Sequence, residues 1–69
     1  MRAGIYRHYK GHLYRVLFTA WESTNGRPRD RVVVYASLER GTINVRTFEE
    51  FNEPLDSGKY RFEFLGEEL

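Results

Sequence analysis

Along most of the chain, apolar and polar positions alternate with a period of two, the signature of β-strands. Over residues 6–20 the even positions are Tyr6, His8, Lys10, His12, Tyr14, Val16, Phe18 and Ala20, and the odd ones include Arg7, Arg15 and Thr19. The tripeptide Tyr9-Lys10-Gly11 interrupts the run. A three-residue hairpin loop needs a left-handed residue, and glycine adopts that conformation at low cost. Such a loop pairs Tyr6 with Tyr14 and His8 with His12. A two-residue turn at Lys10 and Gly11 would instead pair His8 with Leu13 and Tyr6 with Arg15. The first register is the one expected, because it sets aromatic against aromatic.

The second strand is expected over residues 12–22, followed by a polar loop at 23–30 containing Gly26 and Pro28. Residues 31–38 are the most strand-like segment, rich in β-branched side chains. Val32, Val34, Ala36 and Leu38 share one face there, and Val33, Tyr35 and Ser37 the other. A turn then leads to a short fourth strand at residues 43–46. Next the period changes. Thr47 and Glu50 have the spacing of a capping box, and Phe48 and Phe51 fall on one face of a single helical turn over residues 48–52. Pro54 ends that turn. A fifth strand over residues 60–65 alternates Tyr60, Phe62 and Phe64 with Arg61 and Glu63.

Five short strands with one helical turn before the last predict a mainly β fold, a small SH3-like barrel formed by residues 1–69 as a single domain. Closing the sheet would remove the exposed edges that a small open sheet suffers. The expected core is Tyr14, Val16, Phe18, Val32, Val34, Ile43, Val45, Phe48, Phe51 and Phe62, with Val34 and Phe51 foremost among them.

Composition sharpens this picture. A chain of 69 residues buries only about 60% of the surface its unfolded form exposes. It has no cysteine, so neither a disulfide nor a cysteine zinc site assists the fold. Five Phe, five Tyr and one Trp must supply the buried area. The net charge is +1, well short of a dedicated DNA binder. Charge is nonetheless uneven along the chain. Arg2, Arg7, Lys10, Arg15, Arg27, Arg29 and Arg31 precede most of the acids, and eight of the ten acids lie from Glu39 onward. No apolar run approaches a membrane span, and Arg7 and His8 interrupt any signal-peptide core. The absence of cysteine fits a reducing, cytoplasmic location.

The opening stretch carries a family pattern. Gly4, Tyr6, His8, Tyr9, Lys10, Gly11, Tyr14 and Val16 match the motif G-x-Y-x-H-[YF]-K-G-x-x-Y-x-V. Downstream, the Val-Val-Tyr strand, Val45, Arg46, Phe51 and Glu53, and the pair Arg61 and Phe62 continue the likeness. The chain thus resembles the small bacterial and phage domain-of-unknown-function family 1653 over nearly its whole length. It departs at Trp21-Glu22-Ser23-Thr24, where members often carry His-Ser-Glu-Thr, at Asn44, where Trp is common, and at Thr47, where a proline follows the arginine. The resemblance implies an SH3-like barrel in the cytoplasm and supplies no activity.

Three kinds of chemistry compete for these residues. A metal site would need a third ligand beside His8 and His12, with Glu22 or Glu63 converging on them. Acid–base or nucleophilic catalysis would need an orienting carboxylate and an activated nucleophile, and Ser23, Ser37 and Ser57 sit in no such motif. Neither catalysis, nor a metal, nor a small-molecule cofactor is therefore expected. Binding fits better. Tyr6, Tyr9, Tyr14 and Trp21 interleave with Arg7, Lys10, Arg15, Arg27 and Arg29, a mixture suited to stacking and to anionic groups. The candidate binding residues are Arg7, Tyr9, Lys10, Arg15, Trp21 and Arg46. The expected function is a non-catalytic module for protein–protein interaction, with RNA or single-stranded DNA as the alternative partner and no membrane.

Overall fold

A computed structural model describes residues 1–24 and 30–68. The strands are β1 (Gly4–His8), β2 (Leu13–Trp21), β3 (Arg31–Ser37), β4 (Ile43–Thr47) and β5 (Phe62–Gly66), with the short helix α1 (Phe48–Phe51) between β4 and β5. All pairings are antiparallel, and they form one sheet in the order β4-β3-β2-β1-β5. Among the described residues no ladder joins β4 to β5, so the sheet has two free margins. Of the loop expected at 23–30 only its ends, Ser23, Thr24 and Asp30, are described; residues 25–29, with Arg27 and Arg29, lie outside the described residues.

The first hairpin takes the aromatic register. Tyr6 faces Tyr14, and His8 N–H donates to the His12 carbonyl at 2.8 Å. Gly11 N–H closes the turn on the His8 carbonyl at 2.7 Å, and its φ is +101°. Gly4 has a different duty. Its φ is +138°, and an added Cβ would lie 2.5 Å from the Gly66 carbonyl oxygen, so the β1–β5 ladder passes too close for any side chain.

Thr47 caps α1 by accepting the Glu50 N–H on Oγ1 at 3.2 Å. Only that half of the expected box forms. The Glu50 carboxylate turns instead to Arg46 Nη1 at 2.5 Å, because a full positive charge outbids a backbone amide. Beyond α1 the chain makes a small loop, closed by Leu55 N–H to the Lys59 carbonyl at 2.6 Å and by a bridge between Pro54 and Tyr60. Tyr9 N–H to the Arg61 carbonyl, at 2.9 Å, ties this loop to the β1–β2 turn.

The core differs from the one expected. It is built from Tyr6, Val16, Val33, Tyr35, Phe51 and Phe62, with Tyr14, Phe48 and Phe64 packed against it. Ile5 is also fully buried, outside that cluster. Val16, Phe51 and Phe62 were anticipated, and Tyr14 and Phe48 join at the edge. Phe18, Ile43 and Val45 are not core: they are 59%, 61% and 62% exposed. Val32 and Val34 are only half-buried. Valines occupy both faces of β3, so its own alternation cannot choose the inner one. Tyr35 and Val33 win because the aromatic rings of β1, α1 and β5 lie on their side.

In β2 a bulge decides the matter. Val16 pairs with Tyr35 and Phe18 with Val34, leaving Leu17 as the extra residue. Even positions therefore face inward before the bulge and outward after it.

Candidate functional site

The inner face of β1 and β5, the tip of the first hairpin and the loop after α1 enclose a groove of about 990 Å³. β-strand alternation sets its floor. Tyr6 and His8 project to the inner face of β1, opposite Phe64 and Phe62 of β5. Tyr9 enters from the hairpin tip, and Leu55, Lys59 and Tyr60 enter from the loop. The floor is a set of locked rings. Phe51 stacks on Phe62 with centroids 4.0 Å apart at 6°. Tyr6 meets Phe64 edge-on at 5.2 Å, and His8 meets Phe62 at 4.9 Å. Edge-to-face and offset contacts of this kind suit the ring quadrupoles and hold each ring in one orientation. At the rim the situation reverses: Tyr9 is 52% exposed and Tyr60 63%.

The polar atoms of the floor are largely used internally. The Tyr6 hydroxyl donates to the Arg2 carbonyl at 2.6 Å. Burial raises the Tyr6 pKa, and the Arg2 charge and this hydrogen bond oppose the rise. His8 Nδ1 accepts the Lys10 N–H at 3.2 Å, which in the neutral ring puts the proton on Nε2. Burial lowers the His8 pKa, and the charges of Arg46, Arg61, Lys10 and His12 lower it further. His12 points elsewhere, with Nδ1 2.9 Å from a Glu39 carboxylate oxygen. Among the described residues no group of three or more His, Cys, Asp or Glu side chains could hold a metal ion.

The sequence-predicted residues are divided by the fold. Arg7 and Tyr9 line the groove, and Lys10 stands at its edge with Nζ 5.8 Å from the Tyr9 ring centroid. The Arg7 charge is already engaged by Glu63 at 2.5 Å. Arg46 lies at the side of the core. Its Nε donates to the Tyr35 hydroxyl at 3.1 Å, and its guanidinium lies 5.4 Å from the Phe62 ring. Burial works against the Arg46 charge, but the Tyr35 hydrogen bond and the Glu50 ion pair outweigh it and raise the pKa. Arg15 and Trp21 do not reach the groove. Arg15 borders a separate, shallower depression with Arg2 and Glu67, and Trp21 closes β2 opposite Arg31.

Tyr60, Lys59 and Leu55 are groove residues that sequence reasoning missed. The alternation of Tyr60, Phe62 and Phe64 reads as one continuous strand. The structure begins β5 at Phe62 and leaves Tyr60 in the loop, where its ring stays largely in solvent. The sequence does mark a turn at Asp56, Ser57, Gly58 and Lys59 immediately before it, but not that the turn extends through Tyr60.

Among the described residues no helix is long and apolar enough to cross a membrane. A family model described as "Protein of unknown function (DUF1653)" matches residues 4–64. No curated protein and no solved structure matches the chain.

Proposed function

The chain belongs to the DUF1653 family of proteins of unknown function, and from the groove we propose that it is a non-catalytic recognition module for an extended segment of a partner protein. One observation carries this reading: a floor of interlocked aromatic rings ends in two tyrosines, Tyr9 and Tyr60, that are more than half exposed around a cavity of about 990 Å³. That volume is at the upper end of ordinary ligand clefts, which are mostly apolar with a few polar groups. Exposed tyrosine is a preferred contact residue because it brings area, a hydroxyl and few rotors. The strand order, with a helical turn before the last strand, supports an SH3-like barrel left open between β4 and β5. We propose this as the finer description of the fold.

The ionic inventory favours a polypeptide over nucleic acid. Arg7 and Arg46 are paired with Glu63 and Glu50. Arg2 and Arg31 lie over the rings of Phe64 and Phe48, each at 4.2 Å. These four cations are held within the fold and are not free to follow a phosphate backbone, whereas tight nucleic-acid binding rests on several phosphate contacts. Catalysis has little to work with here, since the Ser57 hydroxyl accepts the Lys59 N–H at 3.4 Å as a turn residue.

The test is selection of a displayed random-peptide library on the immobilised full chain and on a Tyr9→Ala, Tyr60→Ala variant. Peptides should be enriched on the wild type and lost on the variant, while thermal melts coincide. Poly-uridine RNA and a single-stranded DNA oligomer serve as counter-probes at low and high salt. Tight, steeply salt-dependent binding of either, with no peptide enrichment, would replace this reading by nucleic-acid recognition.

A further inference from the structure

We propose that the segment held in the groove is acidic, with carboxylates flanking an apolar residue; this rests on the peptide-groove reading above. The reason lies in how the two exposed tyrosines are placed in sequence. Tyr9 is followed by Lys10, and Tyr60 is preceded by Lys59. The fold brings Tyr9, Lys59 and Tyr60 to one groove, with Lys10 beside the Tyr9 ring at the hairpin tip, through the contact of Tyr9 N–H with the Arg61 carbonyl at 2.9 Å. Both lysines are exposed. Among the described residues neither ammonium has an acidic partner within ion-pairing distance.

The acid that lines the groove is already occupied. Glu63 binds Arg7, so this pair adds no net charge. Asn52 and Ser57 are neutral. The inner wall reports the same potential, since after burial the charges of Arg46, Arg61, Lys10 and His12 all act to keep His8 neutral. A groove with an apolar floor and an unbalanced positive rim is complementary to an apolar residue flanked by Asp or Glu. It repels a basic segment.

The experiment compares three forms of the full chain against one displayed random-peptide library: wild type, Lys10→Glu with Lys59→Glu, and Tyr9→Ala with Tyr60→Ala. Neither lysine side chain makes a hydrogen bond or ion pair among the described residues, so the charge-swapped form should melt as wild type does. Wild type should enrich peptides with Asp or Glu beside an apolar residue. The charge-swapped form should enrich Lys or Arg at those positions and bind the wild-type peptides roughly tenfold or more weakly, as expected for two exposed ion pairs turned to repulsion. Peptides enriched on wild type without acidic bias, or an unchanged preference after the charge swap, would overturn this inference while leaving the groove reading intact. Equal enrichment on the tyrosine variant, or no enrichment on wild type, would overturn both.

Discussion

At the scale of single residues, burial separates phenylalanines that look alike in the sequence. Phe51 is 1% exposed and stacks on Phe62. Phe51→Ala should cost about 3–5 kcal/mol, a large share of the stability of so small a chain. Phe18 is 59% exposed on the outer face. Phe18→Ala should cost under about 1 kcal/mol, as surface changes do. Urea denaturation of the two variants checks both values, and equal losses would contradict the assigned faces. His8 carries a pH signature. Its pKa is lowered in the folded state by burial first and by the surrounding cations next. The unfolded chain therefore binds the proton more readily, and stability falls as pH drops below the ordinary histidine value of about 6.5. The loss is complete once pH has passed the lower folded value. An NMR titration should place the His8 midpoint below that of a free histidine. His8→Gln should flatten the decline in melting temperature over that window.

At the scale of elements, short segments depend on local devices. A single turn of helix is not stable on its own, so α1 relies on its cap and on Phe51. Thr47→Ala should lower stability by about 1 kcal/mol, and Thr47→Ser should restore most of it. Thermal melts of the pair distinguish loss of the cap hydrogen bond from a general effect of substitution. In the ladder between β1 and β5 the device is Gly4, where an added Cβ would sit 2.5 Å from the Gly66 carbonyl oxygen. Gly4→Ala should therefore destabilise more than Gly11→Ala. Gly11 shares the positive φ but has open space around it, so only the backbone strain remains there.

For the molecule as a whole, the sheet is apolar on both sides near β4. Phe18, Val34 and Val45 form one row across three strands on the outer face. Because Phe18, Val45 and the neighbouring Ile43 are all more than half exposed, Phe18→Ser, Ile43→Thr and Val45→Thr combined should leave a cooperative melt. They should also raise the concentration at which the heated protein precipitates, by removing apolar surface beside a sheet margin. Light scattering during the melt measures this. The uneven charge along the chain does not survive as two separate ends. The β1–β5 pairing sets Arg7 against Glu63, so early cations and late acids meet on neighbouring strands.

The succession of elements along the chain, the hairpin register and the capped turn were legible in the sequence because each is local. Alternation marks a strand, Gly11 marks the bend, and Thr47 with the Phe48 and Phe51 spacing marks the turn. Tertiary structure alone decided which face of each strand is inside. Alternation divides side chains into two sets but does not say which set is covered, and β3 offers valine on both. The choice fell to the rings of Tyr6, Phe51 and Phe62, which lie on the Tyr35 side, and to Leu17, whose bulge turns the end of β2 over. The groove belongs to the same class of fact. Its two tyrosines lie 51 residues apart in sequence, and only the packing of the loop after α1 against the first hairpin brings them to one site.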